Sequence, residues 1–224
     1  MLLLLLLGSA ANFYVVLVSM AILIVATFII NYKRLGLAWP HLLLPTFYLI
    51  GTTVVFLILP SPLLRLVYLV FTSLVFYLLE ANLGKESHLL QNIYLGSAFM
   101  VFLGLFAFQF YFHLSSLILA AAVFVVSYVL IVQGFAGFSL PAKKYFKFLI
   151  AWLTAQISWA LSLWPTHFVV NAVLAFCFFY VLWMFSFSAF FGKLTLKKIY
   201  WQLALVFVVV AATLLTANWR PIVR

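Results

Sequence analysis

Only two acidic residues occur in this chain of 224, Glu80 and Glu86, and both fall in the stretch Phe76-Tyr77-Leu78-Leu79-Glu80-Ala81-Asn82-Leu83-Gly84-Lys85-Glu86-Ser87-His88. Any step that needs a carboxylate must draw on that stretch. Glu80 still lies inside an apolar run. If that run is a helix over 63–83, Glu80 sits about one turn, ~5 Å, from its end. A negative charge near a helix C-terminus opposes the macrodipole, and a carboxylate at membrane depth is costly. A compensating partner is therefore expected, and Lys147, at the start of a later apolar run, is the candidate for an ion pair with Glu80.

Spacing supports that pairing. Lys147, Ala151, Ala155, Ser158 and Ser162 recur at helical intervals and form one stripe of small and polar side chains, while Thr72, Ser73, Tyr77 and Glu80 form the matching stripe on the other run. Small residues let helices approach closely. Thr72, Ser73, Tyr77, Ser158 and Ser162 are thus candidates for a polar path beneath a Glu80–Lys147 contact. Such a contact reads first as a fixing interaction between two helices near an interface, and second as a cytoplasmic gate.

A second constellation is Glu86 and His88 with His41, an acid–base or metal cluster if the three converge. The His-Glu-x-x-His spacing of a helical zinc site is absent, so the expected state is a solvated loop with interfacial histidines. His113 and His167 fall on the opposite side of the expected topology. The chain has no aspartate, which excludes Asp-rich magnesium chemistry. It also lacks a phosphate-binding glycine loop and a Gly-x-Ser-x-Gly elbow. Ser87-His88 are adjacent in sequence, which does not make a triad. No catalytic residue, cofactor or metal site is assigned, and an ATP-driven pump within this chain is excluded. The amides Gln109, Gln133, Gln156, Asn171 and Gln202 either line a substrate path or bond neighbouring helices at about 1 kcal/mol or less each; scattered one or two per apolar run, they read as helix–helix contacts before a path. Cys177, the single cysteine, reads as a small buried apolar group.

The elements that must carry these residues follow from composition. Hydrophobic residues make up 69% of the chain and charged residues 6%, with a mean hydropathy of +1.33. A water-soluble domain carries about 25% charged residues. A bilayer accepts an apolar exterior provided each helix satisfies its own backbone. The expected fold is an all-α integral membrane bundle in one domain over 1–224. Since roughly 20 residues cross a ~30 Å core, eight spans are expected at 13–31 (reaching back towards residue 2), 42–59, 63–83, 93–112, 115–132, 145–164, 168–191 and 199–217. Pro60, Pro62, Pro141 and Pro165 fall at the breaks. Residues 1–11 resemble a signal peptide, but no basic residue precedes the leucines and their run is short, so a retained anchor is expected.

The net charge of +10 is distributed as a membrane protein distributes it. Lys33, Arg34, Lys85, Lys143, Lys144, Lys147, Lys193, Lys197 and Lys198 fall on one side of the eight-span topology, and Arg65, Arg220 and Arg224 on the other. The positive-inside rule then puts both termini outside and the lysine-bearing loops in the cytoplasm. No basic run or binding signature points to nucleic acid. A 4+4 duplication, 1–114 against 115–224, is suggested by Pro62 with Phe76-Tyr77 recurring as Pro165 with Phe179-Tyr180, and Ile93-Tyr94 as Ile199-Tyr200. The expected setting is a prokaryotic cytoplasmic membrane, with lipid and another membrane protein as partners. Three functions are ordered accordingly: a non-catalytic membrane component; a small carrier for an apolar or amphipathic solute or lipid, gated by Glu80 and Lys147; and a membrane enzyme using Glu80, Glu86, His88 and His41.

Overall fold

A computed structural model of the chain describes residues 13–35, 39–83, 88–135, 143–191 and 196–217. Residues 1–11, where the retained anchor is expected, lie outside the described residues, as do Lys85, Glu86 and Ser87. Among the described residues eight helices follow one another: α1 (Phe13–Leu35), α2 (Trp39–Ile58), α3 (Pro62–Asn82), α4 (His88–Phe112), α5 (Ser116–Gly134), α6 (Lys143–Ser162), α7 (Phe168–Phe191) and α8 (Leu196–Thr216). Every regular element among the described residues is helical, with no strand. The reason is local: long apolar runs offer few side chains to hydrogen-bond the backbone, and a helix closes those bonds within itself. The helices fall on the eight expected runs, with α2, α4, α6 and α8 starting two to five residues earlier than expected because Trp39-Pro-His, His88-Leu-Leu-Gln, Lys143-Lys and Leu196-Lys-Lys join the first turns.

Five helical stretches are long and apolar enough to cross a membrane: Pro62–Asn82, Leu89–Phe112, Ser116–Gly134, Phe168–Ser186 and Ile199–Thr216. They suggest a membrane protein. Val18–Lys33 and Leu42–Ile58 are shorter apolar helices. Helix α6 is less apolar, since Lys143, Lys144 and Lys147 open it and Thr154, Gln156, Ser158 and Ser162 follow.

The chain divides into two compact units, Met1–Val101 and Phe102–Arg224, so the division falls within α4. In the first unit α2 packs against both α1 and α3. It buries Leu42, Leu44, Phe47, Tyr48, Leu49 and Phe56. Two tyrosines cross between helices: the Tyr48 hydroxyl donates to the Thr72 carbonyl at 2.7 Å, and the Tyr68 hydroxyl to the Thr52 carbonyl at 3.2 Å. At the α2–α3 turn, Arg65 donates from Nε to the Leu59 carbonyl at 2.7 Å, with its guanidinium 5.7 Å from the centre of the Phe56 ring. That bond satisfies a carbonyl just past the end of α2, where no helical partner remains. Pro62 opens α3, where its missing N–H costs nothing.

Gly51 marks the tightest approach in this unit. A Cβ there would lie 2.7 Å from the Met100 Cβ on α4, with the Ser97 carbonyl and Val101 N–H at 3.4 Å. Gly96, also helical, has open space where its Cβ would be.

In the second unit the helices pack in chain order, α5 on α6, α6 on α7, and α7 on α8. Small residues make this possible: Ala151, Ala155 and Ser158 on α6 and Ala172 and Ala175 on α7 are all buried. Phe102, on the α4 segment, packs its ring on Phe179 and Phe176 at 5.4 and 6.4 Å.

The two glycines give a paired test. Gly51→Ala should destabilise the chain, because Met100 cannot yield without moving α4. Gly96→Ala should be neutral or slightly stabilising, given that Ala is about 1 kcal/mol better than Gly in a helix. Thermal unfolding of the two variants in detergent checks the contrast; equal midpoints would mean that α2 and α4 do not approach at Gly51.

Candidate functional site

Glu80 lies near the C-terminal end of α3 and is half-buried, and its Oε1 accepts a hydrogen bond from the Asn31 Nδ2 at 3.1 Å. Asn31 is 3% exposed, near the end of α1. An Asn side chain carries two donors and one acceptor, so it can supply a carboxylate with a donor without bringing in a second charge. Asn82, two residues further on, turns back to the Leu78 carbonyl of its own helix at 2.8 Å. Sequence reasoning looked for a cation and passed over Asn31. The signal is present: Asn31 ends an apolar run on the same expected side as Glu80, and no other residue within 13–31 carries an amide.

The other residues of the candidate path are placed as follows. Thr72 is fully buried, and its hydroxyl donates to the Tyr68 and Leu69 carbonyls of its own helix at 2.8 and 3.2 Å. Ser73 does the same towards Leu69 at 2.6 Å. Tyr77 stands on the exposed side of α3, at 70% exposure. Lys147 and Ser158 belong to the second unit. Lys147 is partly buried in the first turns of α6, and the Ser158 hydroxyl is buried with no hydrogen-bond partner among the described residues. Ser162 donates to the Trp159 carbonyl at 2.6 Å. The side chains of His41 and His88, like Glu86, lie outside the described residues. No group of three or more His, Cys, Asp or Glu converges among those that are described.

The second unit holds a pocket of about 460 Å3 at the end where α4 gives way to α5 and α6 to α7. Its walls are aromatic, including Phe106, Phe110, Tyr111, Trp164 and Phe168. Its polar lining is neutral. The Gln109 Nε2 donates to the Ser116 hydroxyl at 3.4 Å, and the Thr166 hydroxyl donates to the Asn171 Oδ1 at 2.6 Å. Gln109, Ser162, Thr166 and Asn171 are all more than nine-tenths buried. His113 stands exposed at the rim with a left-handed φ of 53°. A non-glycine residue there is uncommon, and His is among the types that tolerate it. Cys177 lines a separate, apolar recess of about 290 Å3 with Leu174, Val206 and Val210.

No protein-family model, curated protein or solved structure matches this chain.

The Asn31–Glu80 bond yields a graded expectation. Asn31→Leu leaves the carboxylate without its donor and should lower stability by about 1–2 kcal/mol. Glu80→Gln keeps a carbonyl for Asn31 and should cost less. Removing both groups, in Asn31→Leu with Glu80→Leu, should be milder than Asn31→Leu alone, since neither polar group is then left behind. Unfolding midpoints of the three variants test that order.

Proposed function

We propose that this chain is a multi-pass protein of the cell membrane with eight spans and both termini outside, and that it serves as a non-catalytic component of a larger membrane assembly. Five helices of membrane-crossing length support the setting, and the separation of nine lysine-side cations from three on the other side supports the orientation.

The observation that carries the component role is helix α8. None of the apolar stretch Ile199–Thr216 is buried within the protein. Lipid alone would favour bulky side chains all round such a helix. Instead Ala204, Val208, Ala212 and Thr216 fall at four-residue intervals on exposed positions and make a shallow ridge. Shallow ridges allow helix backbones to approach within a bilayer. In this reading α8 receives a transmembrane helix of the partner, and the Asn31–Glu80 bond holds α1 to α3. The sequence also pairs Glu80 with Lys147. A double-mutant cycle with Glu80→Gln and Lys147→Met would give no coupling energy if the two do not meet.

Two experiments test the proposal. Purification in mild detergent followed by mass spectrometry should recover a membrane protein with the wild type, and lose it in Ala204→Leu with Ala212→Leu while the unfolding midpoint is kept. A lone chain carrying only lipid would overturn the component role and leave the carrier, for which Glu80→Gln should then change transport. For orientation, Cys177→Ala supplies a cysteine-free background. An impermeant maleimide should label His113→Cys in intact cells and reach Lys197→Cys only after the membrane is opened. The reverse pattern would invert the topology.

A further inference from the structure

We propose that the pocket between the α4–α5 and α6–α7 connections binds a neutral polyhydroxylated ring, the sugar head of a glycolipid or a free sugar. This site does not depend on the assembly role of α8, and its test has a separate readout.

The size comes first. A volume of about 460 Å3 lies within the roughly 300–1,000 Å3 of small-molecule sites. The charge comes next. Among the described residues that line the pocket none is Lys, Arg, Asp or Glu, and His113 is the one that carries an imidazole. A ligand with a full charge would enter without a counter-ion, which is costly in so apolar a setting. Phosphate-bearing and carboxylate-bearing heads are therefore disfavoured.

The polar lining then selects among neutral ligands. Each buried amide uses one half locally and leaves the other without a partner among the described residues. Gln109 donates to Ser116, leaving its carbonyl oxygen to accept. Asn171 accepts from Thr166, leaving its NH2 to donate. The two amides offer a free acceptor and a free donor on the lining of one pocket, which suits a ligand that both donates and accepts. A hydroxyl does both, and neighbouring hydroxyls on one ring can serve the two amides together. The remaining walls suit the rest of such a ring. Phe110 and Phe168, with centroids 5.4 Å apart, present flat apolar surface, and Trp164 and Tyr111 extend it. The C–H faces of a sugar ring are apolar and stack on aromatic faces, while its hydroxyl rim stays polar. A purely apolar chain would fill the walls and strand both amides.

The full chain is purified in an amine-oxide detergent, because detergents with sugar heads would compete. Unfolding midpoint and tryptophan emission are then followed against three probes: free galactose, nanodiscs containing monogalactosyl diacylglycerol, and nanodiscs of phosphatidylcholine alone. The expected result is a midpoint several degrees higher with a galactose-bearing probe than with phosphatidylcholine. A response to free galactose identifies a soluble sugar, and a response to the glycolipid alone identifies a lipid-borne head. Asn171→Leu and Gln109→Met should each weaken the response at least tenfold in apparent affinity. Should Asn171→Leu fail to fold, Gln109→Met carries the comparison from a different helix. Equal stabilisation by all three probes, no response to either galactose probe, or an undiminished response in Gln109→Met would overturn the proposal.

Discussion

The whole structure depends on one constraint: a backbone with a hydrogen-bonding donor and acceptor at nearly every residue, in a chain with few charged side chains to serve them. With charged residues at 6%, neither water at the surface nor side chains in the core can satisfy those groups. Helices close the bonds within each segment, and every regular element among the described residues is a helix. The turns obey the same demand. Arg65 serves the Leu59 carbonyl, and Ser115 caps α5 by accepting from the Ile118 N–H at 3.3 Å.

The same constraint sorts the polar side chains into two groups. Most hydroxyls fold back on their own helix: Thr53, Thr72, Ser73, Ser97, Thr154 and Thr213 each donate to the carbonyl four residues earlier. They cost little in an apolar setting and connect nothing. The few that reach another segment carry information about tertiary structure. Asn31 reaches Glu80, Tyr48 reaches Thr72, Tyr68 reaches Thr52, and the two amide–hydroxyl pairs line the pocket. Van der Waals contact does the rest. Gly51 against Met100 and the buried alanines of α6 and α7 set how closely backbones approach.

Much of the architecture could be read from the residues, because a run of about twenty apolar side chains has few alternatives and prolines mark its ends. Helix starts were read late at His88 and Lys143, since polar first turns interrupt the hydropathy pattern without interrupting the helix. The candidate site was less legible. Glu80 is identifiable in the sequence as the acid needing a partner, and charge points to Lys147; the neutral Asn31, which donates to Glu80, carries no such signal. The hydroxyls of Thr72 and Ser73 share one stretch of sequence with Tyr77, yet α3 turns Thr72 inward and Tyr77 outward. Gln109 and Asn171 stand in the sequence as two amides of a scattered set, and nothing in their positions singles out these two as lining one pocket.

Composition and the spacing of apolar runs determined the helical class, the number and order of helices, and the separation of basic residues between alternate connections. Each of these is a one-dimensional property, fixed by runs of residues along the chain. Tertiary structure decided which polar atoms meet, because a hydrogen bond requires about 3 Å between atoms that may be dozens of residues apart. It joined Asn31 to Glu80, set Gly51 against Met100, gathered two half-committed amides beneath an aromatic wall, and packed α8 on α7 without fully burying any residue of its apolar stretch.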